Sequence, residues 1–266
     1  RKALATAAAT RWRTMGELDG RVALVTGSSR GIGAAIAELF ARQGAAVAVH
    51  GRDGDAAAAV VDRIRGRGGV AIAALCDLTD YAGIEALRER VEAELGPADI
   101  VVANAGGSPV RPGPVEELTE AEWRRSVDVN LTATFLTVKA FLPGMKQRGR
   151  GTIITMSSAA ARRPTAHSPA AYAAAKAGIE LLTKSLAVQA GPFGVRVNCL
   201  APETILTERN QVQIPGDVKE QLRATHPIRR LGTPDDVAQA ALYLASDHAG
   251  WVSGITLDVA GGAVLV

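Results

Sequence analysis

An α/β fold, with one doubly wound parallel sheet and helices on both faces, is the class that this 266-residue chain predicts. Three observations predict it. Short runs rich in Val, Ile and Leu alternate with longer segments of helical composition from one end of the chain to the other. The first run leads at once into a glycine-rich turn and a helical stretch. No Pro/Gly/Ser-rich linker, internal repeat or low-complexity tract interrupts the alternation, so one domain is expected over residues 15–266.

Seven strands are expected, at residues 21–26, 46–50, 70–76, 100–103, 152–156, 195–200 and 255–259. Each is a short apolar run of the kind found where a parallel sheet is covered on both sides. Helices are expected at 32–43, 56–65, 82–95, 120–142, 170–190 and 234–245, several opened by capping residues such as Thr119 and Thr233. All crossovers should be right-handed. Residues 202–231 break the rhythm: bounded by Pro202 and Gly232, and containing Pro215 and Pro227, they follow the sixth strand. That puts them at the strand carboxyl ends, where open α/β sheets take ligands, as a substrate lid or a surface excursion with its own helix.

Charge and composition narrow the partners. The formal net charge is +3, but Arg1, Lys2, Arg11 and Arg13 stand in the first 14 residues without any acid, so the rest is close to neutral. Residues 1–14 read as a basic extension, flexible or non-native, and no nucleic-acid groove is expected. No apolar stretch approaches membrane-spanning length, and a membrane partner is not expected either. The two cysteines, Cys76 and Cys199, lie in apolar runs as buried thiols do, and such sparse usage fits a reducing, cytoplasmic location.

Residues Thr26-Gly27-Ser28-Ser29-Arg30-Gly31-Ile32-Gly33 join the first strand to the first helix. Glycines at 27, 31 and 33 let the backbone turn sharply and approach a pyrophosphate, which free amides and the positive end of the helix dipole favour. No Gly-Lys-Ser/Thr ends the segment, so it is not a P-loop. It also satisfies G-x-S-x-G, which would make Ser29 a hydrolase nucleophile. Position argues against that, because only 20 residues precede the first strand and His248 alone comes late enough to serve as base. About 20 residues on from the glycine loop, an acid would select NAD and an arginine NADP. The chain offers His50-Gly51-Arg52-Asp53, so Arg52 and Arg30 can converge on a 2′-phosphate; NADP(H) is preferred, with NAD(H) open through Asp53.

In Tyr172-Ala-Ala-Ala-Lys176 a phenol and an ammonium stand one helical turn apart, on one face. A nearby cation favours phenolate and moves a phenol toward useful acid/base range.

Together these motifs resemble the short-chain dehydrogenase/reductase family over residues 18–262, nearest its 3-oxoacyl-carrier-protein reductase branch. The resemblance implies a Rossmann-like sheet and assigns roles. Gly27, Ser29, Arg30, Gly31, Ile32 and Gly33 would hold the cofactor, with Asp77 and Leu78 at its adenine, then Asn104, Ala105 and Gly106, and Pro202 and Thr207 farther on. Tyr172 would exchange the proton while nicotinamide exchanges the hydride. Lys176 would hold the ribose and lower the tyrosine pKa, Asn130 would support a water path to it, and a serine would bind the oxyanion. The serine is Ser158 or Ser157: the family spaces it 13 residues before the tyrosine, which neither matches, and Ser158 is preferred as second of the pair, with Ser157 supporting the backbone. Glu203 stands where the family usually has glycine and would bring a carboxylate near the nicotinamide.

A ketone or secondary alcohol is the implied substrate, with a 3-oxoacyl thioester among the options, and a homotetramer the implied assembly through helices 120–142 and 170–190 and the last strand. Arg162, Arg163 and His167 are candidates for substrate contact, and Arg124, Arg125, Lys146, Arg148 and Arg150 for an acidic carrier, or all are solvated surface. A sensor or scaffold that binds dinucleotide without turnover is the rival reading.

Overall fold

Strands of this composition pair side by side because both their faces are apolar. In the computed structural model, which describes residues 16–163 and 169–265, seven parallel strands lie in the order β3-β2-β1-β4-β5-β6-β7. They are β1 (Val22–Val25), β2 (Ala46–Gly51), β3 (Val70–Leu75), β4 (Ile100–Ala103), β5 (Gly151–Met156), β6 (Val195–Pro202) and β7 (Thr256–Val259). The basic extension at residues 1–14 and His167 lie outside the described residues.

Alternation along each strand divides the core in two. Ala23, Val25, Val47, Val49 and Ile154 face one layer, built by α1 (Gly31–Arg42), α2 (Gly54–Gly66) and α9 (Pro234–Ala245), where Phe40, Ile36 and Leu244 are fully buried. Leu24, Ala48, Val101, Ile153 and Val197 face the other, where α3 (Tyr81–Leu95) and α5 (Ala133–Arg148) bring Ile84, Phe141 and Met145. The sheet is a doubly wound, Rossmann-like domain. Its winding reverses between β1 and β4, so the loops leaving these two strands part and open a crevice at their carboxyl ends.

One expected helix is broken. Residues 120–142 are not a single α-helix: α4 (Glu120–Val127), closed at its start by a Thr119/Glu122 capping box, passes through a π-turn at Asp128–Thr132 before α5. The wider turn frees the Ser126 carbonyl, and the Asn130 amide takes it up at 2.8 Å. Composition carries no sign of this, since every residue across the break is compatible with α-helix. The α6 helix runs Ala170–Ala190 as expected, and the excursion after β6 holds two helices, α7 (Glu208–Gln213) and α8 (Gly216–Thr225). Its stem is pinned by an isolated parallel bridge, Ile205 to Gly232.

Candidate active site

The glycine loop is shaped by its contacts before any ligand is considered. Gly27 and Gly31 have φ of 63° and 58°, a region that side chains avoid, and a Cβ on Gly33 would lie 2.4 Å from the Gly27 carbonyl oxygen. Ser28 is buried and donates to the Val25 carbonyl, while the Asn104 amide donates to the Thr26 and Gly27 carbonyls. The loops after β1 and β4 are thus laced across the switch point. No side chain caps the start of α1, and its first turn carries no acid. Uncapped amides opening on a crevice are what a pyrophosphate requires, so the residues present fit a dinucleotide.

At the end of β2, His50 borders the crevice with both ring nitrogens engaged by the protein. The Gly27 amide donates to its Nδ1 (3.0 Å) and its Nε2 faces the Cys76 carbonyl (3.2 Å), so Nε2 carries the hydrogen and the ring is neutral. Burial lowers its pKa and keeps it so. The two expected cations do not stand together unpaired: Arg30 donates to Asp53 at 2.6 Å, and Asp53 also caps α2 through the Ala56 amide. That amide first, and then Arg30, hold the Asp53 carboxyl below its ordinary range. Among the described residues Arg52 makes no ion pair and lines the crevice.

A 580 Å³ cleft over the β2 and β3 ends is lined by Ser29, Arg52, Asp77, Leu78, Ala105 and Gly106, among others. It shares Gly27, Arg30 and Asn104 with a 1110 Å³ cleft whose far wall carries Ser158, Tyr172, Lys176, Pro202 and Thr207. Gly31, Ile32 and Gly33 line the second cleft as well. Every expected cofactor residue therefore borders one continuous trough.

Tyr172 enters from the first turn of α6, with Lys176 one turn later. Lys176 is almost fully buried, donates from Nζ to the Met156 carbonyl (2.7 Å), and has Nζ 5.6 Å from the Tyr172 ring centre. Burial pushes its pKa down to about 8. The phenol behaves differently from expectation: burial raises its pKa, and the opposing influence is a hydrogen bond from Ser158, not the lysine charge. The expected lowering by Lys176 is therefore absent, because the ammonium is turned onto a carbonyl.

The two serines separate cleanly. Ser158 faces the phenol and takes the Ala160 amide on its Oγ, while Ser157 is buried and donates to the Lys176 carbonyl and to Glu180. Asn130 does not line the trough. Its amide bonds both the N–H and C=O of Gly107 and the Ser126 carbonyl, and a Cβ on Gly106 would fall 2.6 Å from its Oδ1 and 3.3 Å from Lys176 Nζ. It braces the loop beneath the lysine.

Several of the other candidate side chains have partners within the protein. Arg162 pairs with Asp258 and Glu180, and Arg163 donates to the Ala263 carbonyl. Of the basic residues proposed for a carrier, Arg124 pairs with Glu120, Arg150 with Asp99, and Arg148 donates to the Ala98 carbonyl. Among the described residues Ser29 has no base: His50 is spent on the loop, and His248 lies beside Asp247, which pairs with Arg21 at the opposite end of β1. Among the described residues no cluster could hold a metal ion, and no helix is long and apolar enough to cross a membrane.

A family model described as Enoyl-(Acyl carrier protein) reductase matches residues 27–264. The 7alpha-hydroxysteroid dehydrogenase of Escherichia coli K12 is 39% identical over 247 residues, 93% of this chain and 95% of that protein. This chain belongs to the short-chain dehydrogenase/reductase family. A short-chain dehydrogenase/reductase is an oxidoreductase working between hydroxyl and carbonyl groups. This one shares its fold with a 3-oxoacyl-[acyl-carrier protein] reductase from Brucella melitensis with bound NAD, at TM-score 0.87 and 38% identity, covering 95% of this chain and 94% of that one. It is also similar to a gluconate 5-dehydrogenase from Burkholderia cenocepacia in complex with NADP and tartrate, at TM-score 0.86 and 35% identity, covering 92% of this chain and 96% of that one.

Proposed function

We propose that the protein interconverts a ketone and a secondary alcohol with NADP(H), using Tyr172 as the group that gives and takes the proton. The observation that carries this reading is the continuity of the trough: the wall holding Tyr172, Ser158 and Lys176 faces the uncapped start of α1 across one cleft. When bound there, the dinucleotide supplies or accepts the hydride.

The chain's own residues do the rest. Ser158, its Oγ fixed by the Ala160 amide and facing the phenol, is placed to turn its hydrogen to the substrate oxygen. Tyr172, kept protonated at neutral pH by burial, hands its proton to the carbonyl oxygen during reduction. Lys176 carries a positive charge below about pH 8 at the foot of the same wall, where it would hold the nicotinamide ribose. Asn130 keeps the Gly106–Gly107 backbone in place under that ammonium.

Similar structures hold NAD, NADH or NADP, so the choice rests on this chain's residues. His50 leaves no carboxylate at the strand end, and Arg52 borders the adenine-side cleft without a partner. Arg52→Ala should raise the KM for NADPH at least about tenfold, the scale of one lost charge-assisted hydrogen bond, and change that for NADH less than about twofold. Equal effects on the two cofactors would assign the protein to NAD(H). Following NADPH and NADH absorbance against ketones, 3-oxoacyl thioesters and quinones tests the reaction itself. Tight cofactor binding with no oxidation by any carbonyl would turn the reading to a sensor.

Trp123, Phe135, Leu181 and Val188 stand exposed on α4, α5 and α6, apolar surface of the kind that subunits cover, and support the homotetramer. The unpaired cysteines fit a cytoplasmic location.

A further inference from the structure

The loop that leaves β6 carries a carboxylate that the reaction above does not use. The Glu203 amide donates to the Val259 carbonyl (3.2 Å), and the side chain turns away from Tyr172 into a separate 240 Å³ cavity under the lid. Thr204, His226, Arg230, Asp236 and Asp258 share that cavity. The expected carboxylate beside the nicotinamide is therefore on the other side of its own loop.

His226 caps the carboxyl end of α8 and is 4% exposed. Its Nδ1 lies 2.6 Å from the Leu222 carbonyl oxygen and its Nε2 lies 2.6 Å from Glu203 Oε2. Carbonyl and carboxylate oxygens accept only, so holding both contacts takes a hydrogen on each ring nitrogen, or a proton shared with the carboxylate. Neutral imidazole facing ionised Glu203 has one hydrogen too few. A lone pair would then face an oxygen at close range in a buried site, and one contact must open.

The charges facing this pair are otherwise engaged. From the start of α9, Arg230 binds Asp236 through both nitrogens (2.6 and 2.7 Å); from β7, Asp258 is held by Arg162; α8 offers the Leu222 carbonyl alone. Thr204 Oγ1 donates to the second Glu203 oxygen at 3.0 Å. Among the described residues, His226 is thus the only basic side chain in contact with Glu203.

The position of the pair gives it a consequence. The excursion is fixed at its base by the Ile205–Gly232 bridge and by the Ile228 amide on the Gly261 carbonyl. Between these points, the Glu203–His226 contact is the side-chain hydrogen bond that ties α8 to the sheet, among the described residues. The neighbouring helix α7 presents Arg209, Asn210 and Gln213 to the cleft of Tyr172. We infer that Glu203 and His226 form a proton-dependent latch that holds the lid on the end of β6 and so positions the substrate side of the active-site cleft.

Hydrogen–deuterium exchange of the cofactor-free protein reads the latch without a substrate, independently of which reaction is catalysed. After correction for intrinsic exchange rates, peptides within 206–231 should be at least about fivefold more protected near pH 6 than near pH 8.5, the factor that one hydrogen bond of ordinary strength contributes. Glu203→Gln and His226→Gln should each remove that pH dependence and lose protection near pH 6, while peptides of β4 and β5 exchange as in the parent. Equal lid protection of the parent at both pH values overturns the latch, and so does an unchanged pH dependence in either folded variant. Should neither variant fold, the parent's profile still decides.

Discussion

Tyr172→Phe should lose at least about 100-fold in turnover with NADPH and a reducible ketone while binding the cofactor as the parent does. The substitution removes one oxygen and leaves the ring, so the packing that buries it at the start of α6 is kept. What disappears is the hydroxyl that Ser158 faces and that stands as the proton source in this wall of the trough. The pH dependence has a defined sign. Burial lifts the phenol above its ordinary value, so it stays protonated through the neutral range and reduction needs no titration of it. Oxidation starts from phenolate and should therefore speed up as pH rises, whereas reduction should not gain. Single-turnover rates in both directions, with cofactor affinity from fluorescence titration, check this. A variant that keeps parental turnover removes Tyr172 from the chemistry.

The strand positions and the glycine loop were legible because they depend on local chemistry: short continuous apolar runs, and turns that glycine alone accepts. Helix α6 and helix α9 begin and end where composition and capping residues put them. The π-turn at Asp128–Thr132 was not legible, since it exists to satisfy Gly107, which is 23 residues away from Asn130. The partners of charged residues were hidden for the same reason. Arg162 looked like a substrate contact from its place between Ser158 and Tyr172, yet its partners Glu180 and Asp258 come from α6 and β7. Arg30 borders the trough as expected, but its partner Asp53 was not readable. Likewise, a Tyr-Lys spacing of four places both groups on one face but cannot tell that the ammonium ends on the Met156 carbonyl. A side chain's position along the chain was readable, and its long-range partner was not.

Lys176→Met should abolish most activity and at the same time make the cofactor-free protein more stable at neutral pH. The buried ammonium has its pKa lowered from 10.5 to about 8, chiefly by desolvation. Below pH 8 both folded and unfolded chains carry the proton, and the folded state bears the whole cost of burying the charge, of order 3 kcal/mol. Between about pH 8 and 10.5 the unfolded chain still holds a proton that the folded chain has released, so this cost fades as pH rises. Methionine carries no charge at any pH, and its stem fills similar space. It forfeits the bond to the Met156 carbonyl, worth about 1 kcal/mol, which leaves a net gain of about 2 kcal/mol at pH 7. For a chain of this size that corresponds to a rise in Tm of roughly 5 °C. The gain should shrink toward pH 10 and change sign there, as the lost hydrogen bond outlasts the lost charge. Melting curves of parent and variant at both pH values test it, and a variant equally destabilised at each would mean that the lysine is held for packing. The expected crossing identifies an ammonium kept under the Gly106 loop at the expense of the fold, as suits the lysine proposed to hold the cofactor's ribose.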